Sequence, residues 1–213
     1  MSLKVNEIFY SIQGESSYSG LPCIFVRLAG CNLRCSYCDT RYSYDEGIIL
    51  SIAEIKDKII SYNCHLVEIT GGEPLIQKET PRLIFDLLEQ DYTVLLETNG
   101  SQDISIVDYR CVKILDIKHH LSGLNTNNGL DNLNKLSYHD EIKFIIANRV
   151  DYEYAKKIVM NILKEKKNLI HFSPVYGVLE PNILAKWILE DSLHVRLHLQ
   201  LHKFIWDANA RGV

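Results

Sequence analysis

No run of 18 apolar residues occurs in the 213-residue sequence, so nothing in it reads as a membrane span. Charge of one sign is not in excess either. Lys and Arg number 23 against 27 Asp and Glu, and a net charge of −4 gives no reason to expect nucleic acid or another polyanion as partner. Proline is scarce, at five residues, and no Pro/Ser-rich linker, internal repeat or low-complexity tract divides the chain. One domain over 1–213 is therefore expected. The first residues, MSLKVNEIFY, lack the apolar core and cleavage site of a secretory leader, which makes the cytoplasm the expected location. Length is short as well. A complete eight-unit (β/α) barrel typically takes about 250 residues, so any barrel here must be abbreviated.

What is present is a soluble-type composition, 46% hydrophobic and 23% charged, sufficient for a core that needs no covalent staples. Apolar, β-branched runs alternate with helical periodicity almost throughout. Strands are expected at 22–30, 65–70, 92–97, 111–117, 141–147 and 169–173, with a last alternating strand over 194–202 that sets Val195, Leu197, Leu199 and Leu201 on one face. Between them, Ser51 and Glu54 form a capping box for a helix carrying Ile52, Ile55, Ile59 and Ile60. Thr80 reads as the cap of a second helix with Pro81 at its first position. Asp151 caps a third from about Tyr152 to Lys166, and Pro181 opens a fourth. The polar stretch 125–136 reads as a surface loop. This order argues for an α/β fold: an abbreviated, partial (β/α) barrel with about six core parallel strands, its ligands at the strands' carboxyl ends.

Six cysteines are unevenly placed. Cys31, Cys35 and Cys38 fall within eight residues, whereas Cys23, Cys64 and Cys111 lie in or beside apolar strands and read as buried, unreactive thiols. Three thiols on one loop of a reduced chain suit a metal or cluster better than disulfides. A CxxxCxxC spacing fits three corners of a 4Fe–4S cluster, leaving one iron open. Structural zinc, with a fourth ligand from Cys64, Cys111 or a histidine, and idle thiols remain the alternatives on spacing alone. TGGEP, from Thr70, follows one strand–helix–strand later. Its adjacent glycines allow close backbone approach, and Glu73 is placed to meet an amine or the edge of a small molecule.

CxxxCxxC followed by GGEP resembles the radical S-adenosylmethionine superfamily. EIFYSIQGES (7–16), residues 19–40, TGGEPL (70–75), LETNGS (96–101) and QLHKFIW (200–206) resemble, within it, the 7-carboxy-7-deazaguanine synthase family over nearly the whole chain. The resemblance implies a lyase of queuosine and related 7-deazapurine biosynthesis. It would use a 4Fe–4S cluster, S-adenosylmethionine and Mg²⁺, generating a 5′-deoxyadenosyl radical that abstracts hydrogen from 6-carboxy-5,6,7,8-tetrahydropterin. It also implies a homodimer and an electron donor such as a flavodoxin or ferredoxin. By the same resemblance Cys31, Cys35 and Cys38 hold the cluster and Thr40 the Mg²⁺. Ile12, Gln13, Gly14, Arg27 and Thr70 contact the pterin, with Glu97, Gln200 and His202 as further polar groups of its pocket. Gly72, Asp116, Ile117 and Lys118, with Ser173, Pro174, Val175 and Tyr176, contact S-adenosylmethionine. Two departures stand out: Ser16 replaces the usual glycine of QGEG, and DIKHHLSG differs from the family's wording after Lys118.

Plainer readings exist for single residues. Arg27 also reads as a salt-bridged surface arginine, Asp39 and Thr40 as turn residues, and Glu97 as a turn cap. His194, His198 and His202 share a strand face that is solvated or pocket-lining. Trp206 suits a dimer contact, a lid or the core. Two other functions compete with the synthase: an enzyme that installs a glycyl radical on a partner protein, and a zinc-held binding module.

Overall fold

The computed structural model describes residues 1–118 and 129–213. Its nine strands form one sheet in the order β3-β1-β2-β4-β5-β6-β7-β8-β9. β1 (Ser2–Ile12) pairs antiparallel with β2 (Pro22–Leu28) on one side and with β3 (Ile48–Ser51) on the other. From β2 onward every pairing is parallel, through β4 (Leu66–Gly71), β5 (Thr93–Thr98), β6 (Val112–Ile117), β7 (Glu141–Ile146), β8 (Leu169–Pro174) and the short β9 (Arg196–Leu197). Six parallel strands of full length, β2 and β4 to β8, match the number expected. β3 and β9 are the edges, so the barrel is open.

Strands covered on both faces carry almost unbroken apolar runs, which is why VKILDI is buried at every position. On the outer face, α1 (Ile52–Ile60) and α2 (Thr80–Leu88) pack Ile55, Ile59, Leu83 and Leu87 against Val26, Ile69 and Leu96. α3 (Arg149–Asn161) and α4 (Pro181–Glu190) pack Tyr152, Ile158 and Leu184 against Phe144 and Phe172. Each such fully buried side chain contributes about 1.5–3 kcal/mol. Inside the barrel, Phe9, Cys23, Phe25, Leu66, Leu95, Val112 and Ile114 fill the half nearest the strands' amino ends. The opposite half is left for a site.

The Ser51/Glu54 capping box is present in both directions. Other boundaries differ from the sequence reading. Glu79, not Thr80, precedes α2, because the Thr80 hydroxyl donates to the Pro74 carbonyl instead. Asn148 caps α3, bonding the amides of Val150 and Asp151, while Asp151 accepts from Ala147. The expected strand 194–202 shrinks to two residues, and α5 (His202–Ile205) starts where it should have ended. Its alternation is inverted too: His198 is buried and Leu197 and Leu199 are exposed. Of the stretch 125–136, residues 125–128 lie outside the described residues. Leu130–Lys135 is a 3-10 turn, not an open loop, and buries Asn132, which donates to the carbonyls of Gly100 and Gln102.

Candidate active site

A cavity of about 610 Å³ opens at the carboxyl ends of the parallel strands. Each of the six long parallel strands sends a polar side chain into it: Arg27 from β2, Glu68 and Thr70 from β4, Glu97 from β5, Asp116 from β6, Lys143 from β7 and Ser173 from β8. All three clustered cysteines are on its wall, on the loop after β2, and all are free thiols. Burial pushes the Cys31 and Cys35 thiols up. Among the described residues no three His, Cys, Asp or Glu side chains converge on a single-ion position, so these thiols are not gathered around one zinc.

TGGEP shapes that loop from the next strand. A Cβ on Gly72 would lie 2.0 Å from the Gly30 carbonyl oxygen and 2.7 Å from the Cys31 Cβ. Gly71, at φ +139°, passes equally close to Leu28. The glycines thus let two strand ends and the cysteine loop touch. Glu73 does not face the cavity as a ligand group: it is wholly buried, accepting from the amides of Leu75 and Asn99 and from the Thr98 hydroxyl. It fastens the TGGEP turn to the end of β5.

The same cavity has a charged wall. Lys143 donates to Glu15 at 2.7 Å and also to Glu97, and Gln200 donates to Glu15 at 2.9 Å. Burial alone would raise the Glu15 carboxyl, but Lys143 and His202 hold it well below the usual range. Glu68, bonded by the Gln13 amide, is pushed up to about 8 by burial and then by the charges of Glu97 and Glu15. At neutral pH Glu68 keeps its proton while Glu15 is ionised. Burial lowers His202, with the Glu15 carboxylate opposing the shift. Gly14 lies so close to His202 that a Cβ would meet its Nδ1 at 2.2 Å.

Arg27 is not at the surface. Glu7 accepts from its Nε at 2.7 Å and from the Tyr42 hydroxyl at 3.0 Å, and although burial opposes its charge, Tyr42 and Glu7 keep it protonated. Asp39 and Thr40 both face the cavity, and Asp39 accepts from Lys203 at 2.9 Å. Glu97 is a cavity group bound to Lys143 and no turn cap. The Asp116 carboxylate pairs with Lys118 through one oxygen, and its other oxygen is buried with no hydrogen-bond partner among the described residues. Ile12, Gln13, Ser173, Pro174, Val175 and Tyr176 also line the wall. Ile117 does not: its side chain is in the outer core with Phe144. The histidines separate, His194 exposed, His198 packed edge-on to His171 at 5.0 Å, and His202 in the cavity. Glu15, Glu68 and Lys143 were not picked out by sequence reasoning. Glu68 is a lone charge in an apolar strand, and that was the available signal; Glu15 lies in a polar stretch and Lys143 beside Glu141, where nothing marked them.

An open parallel barrel with three thiols at its mouth defines a radical S-adenosylmethionine enzyme, and the family described as the radical SAM superfamily matches residues 26–179. A curated relative from Chlorobaculum tepidum, named 7-carboxy-7-deazaguanine synthase, is 45% identical over 99% of this chain and 97% of its own. One of the same name from Koribacter versatilis is 42% identical over 99% and 100%. The crystal structure of QueE from Escherichia coli superimposes with a TM-score of 0.78, covering 95% of each chain at 22% identity. The chain belongs to the 7-carboxy-7-deazaguanine synthase family. That membership replaces the glycyl-radical activator and the zinc module as readings. Its cofactors are a 4Fe–4S cluster and S-adenosylmethionine, and it takes a small-molecule substrate and a reductant. No helix among the described residues is long and apolar enough to cross a membrane.

The donor set fits these groups. Three unpaired thiols on one loop are the chemistry a 4Fe–4S cluster needs. The unpartnered Asp116 oxygen and the Gly72 backbone border the same space and suit the polar groups of S-adenosylmethionine.

Proposed function

We propose that this protein converts 6-carboxy-5,6,7,8-tetrahydropterin to 7-carboxy-7-deazaguanine with loss of ammonia. The observation that carries the reading is the union, in one cavity, of the three thiols with Arg27 and the Glu15–Lys143–Glu97 wall. Cys31, Cys35 and Cys38 would hold the cluster, with Gly72, Asp116, Lys118 and Ser173 to Tyr176 around S-adenosylmethionine. When bound, the cluster supplies the electron that cleaves S-adenosylmethionine and so starts hydrogen abstraction from the substrate.

The chain's own residues then orient and protonate. Glu7 takes the Nε of Arg27, so the terminal nitrogens of the guanidinium fork are the ones for the pterin carboxylate. Gln13, Gly14, Thr70, Glu97, Gln200 and His202 surround the ring's polar edges. Glu68, still protonated at neutral pH, is a proton source inside the cavity for an amine that must leave as ammonia. Thr40 would ligate Mg²⁺, completed by substrate oxygens and water, with Asp39 supplying nearby negative charge. At β9 and just beyond it, Leu197, Leu199 and Phe204 form an apolar face that suits a homodimer contact. An acidic flavodoxin or ferredoxin would be the reductant.

Anaerobic reconstitution tests the reading. The protein should turn brown with about four iron and four sulfide per chain, and convert the carboxypterin when given S-adenosylmethionine and reductant. A fully loaded protein that cleaves S-adenosylmethionine but leaves the pterin untouched would refute the substrate and leave the class intact.

A further inference from the structure

One buried polar group has no part in the chemistry above. Glu141 is the first residue of β7, and its side chain is only 2% exposed. A carboxylate in such a place is costly unless it is bonded, whereas an apolar side chain would fill the space freely. Its partners therefore indicate its use. His171 Nε2 meets Glu141 at 2.7 Å, and Ser17 donates to it twice, from its amide at 3.0 Å and from its hydroxyl at 2.5 Å. Ser17 is 124 residues away, on the loop between β1 and β2.

That loop carries Gln13, Gly14 and Glu15 into the cavity. Two residues along β7 from Glu141, on the same strand face, Lys143 holds Glu15, which is itself two residues before Ser17. The strand thus grips the loop at two points with matched spacing. His171 lies beside Lys143 in the β7–β8 register, and His198 packs edge-on against its ring. The grip at Ser17 fixes where the grip at Glu15 falls.

We infer that Glu141, braced by His171, is a positioning residue that sets the register of loop 13–21 on β7 and thereby places Gln13 and Glu15 against the substrate. The inference rests on the cavity being the pterin site, and its test is divided accordingly. In steady-state assays Glu141→Gln should raise KM for the carboxypterin about tenfold while kcat stays within about threefold, the pattern of lost binding without lost chemistry. S-adenosylmethionine affinity should be unchanged. Ser17→Ala, at an exposed position that folding tolerates, should raise KM about threefold. The double variant should be no worse than Glu141→Gln, since both changes break one contact. Hydrogen exchange needs no substrate: the amides of residues 15–18 should exchange about tenfold faster in Glu141→Gln, with those of β6 unaltered. Unchanged KM and exchange in folded Glu141→Gln, or effects of the two substitutions that multiply, would overturn the inference. Failure of the wild type to use the pterin would instead refute the substrate, and the exchange data would still decide the role of Glu141.

Discussion

Lys143 and Glu15 meet at 2.7 Å inside the barrel although 128 residues separate them in the chain. The same ammonium serves Glu97, so one cation from β7 ties the loop after β1 to the end of β5. Removing one partner of a buried, bonded charge set leaves the others without compensation. Lys143→Met should therefore destabilise the protein by about 3–5 kcal/mol, read by urea unfolding at pH 7. Loss below about 1 kcal/mol would show that the carboxylates find other partners or take up protons freely.

Glu68 gives the protein an unusual pH dependence. Its folded-state carboxyl, pushed up to about 8, binds a proton more tightly than in the unfolded chain. The folded state then carries more protons between the ordinary carboxylate range and pH 8, so this group's stabilisation is full at low pH and declines as pH rises through that window. Glu15, held low, acts oppositely but only below the ordinary carboxylate range. Between pH 5 and pH 8 the wild type should lose stability more steeply than Glu68→Gln. Parallel stability curves for the two would rule this out.

Gly72→Ala should damage cluster assembly before it damages the fold. The new methyl would meet the Gly30 carbonyl at 2.0 Å, and the cysteine loop, anchored to a strand end, must move to admit it. Overpacking of this kind costs about 1–3 kcal/mol. Iron content after reconstitution should fall by more than half while far-UV circular dichroism is retained, an outcome that wild-type iron content would contradict.

Arg27 and Cys35 should separate cleanly. Arg27→Ala removes a charged hydrogen-bond donor worth about 1.5–3 kcal/mol, so kcat/KM for the pterin should drop by at least tenfold with the cluster intact. Cys35→Ala should abolish the cluster's visible absorption. The reverse pattern would mean the two roles are misassigned.

Ser16, the residue that departs from the QGEG wording of the motif it resembles, stands at φ +62°, a left-handed conformation that favours glycine. Its hydroxyl accepts from the Tyr18 amide at 3.2 Å, which offsets part of the strain. Ser16→Gly should stabilise the protein by about 0.5–1 kcal/mol, raising Tm by about 1–4 °C. A lowered Tm would show that the hydroxyl bond outweighs the backbone.

Much of the frame was legible because the strands of a covered parallel sheet advertise themselves. HLVEIT, YTVLLE and CVKILDI are predominantly apolar, and each matches the strand found to within one residue at either end. β1 was harder, since a bulge between Val5 and Glu7 breaks its alternation. The cysteine loop was legible through its spacing, and Arg27 through the motif around it. The charged wall was not. Alternation assigns polar residues to solvent, but in this barrel the inward positions near the carboxyl ends are the polar ones. Glu68, Glu97, Asp116 and Lys143 each come from a different, largely apolar strand, and only the barrel's curvature brings them together. The same inversion misled the reading of 194–202, where His198 turns in and Leu197 turns out.

The open edge of the sheet has a consequence for ligand entry. Where a closed barrel would zip its first and last strands with a full ladder, this one joins the two sides by an amide of Leu201 bonded to the carbonyl of Gly14 at 2.9 Å, with Gln200 on Glu15 alongside. Because loop and side-chain contacts make this seam, Lys203 on Asp39 and Arg211 on Glu46 among them, it can part without melting any strand. A planar, bulky molecule can therefore reach the cavity by a local parting of these loops, while the parallel strands stay in register.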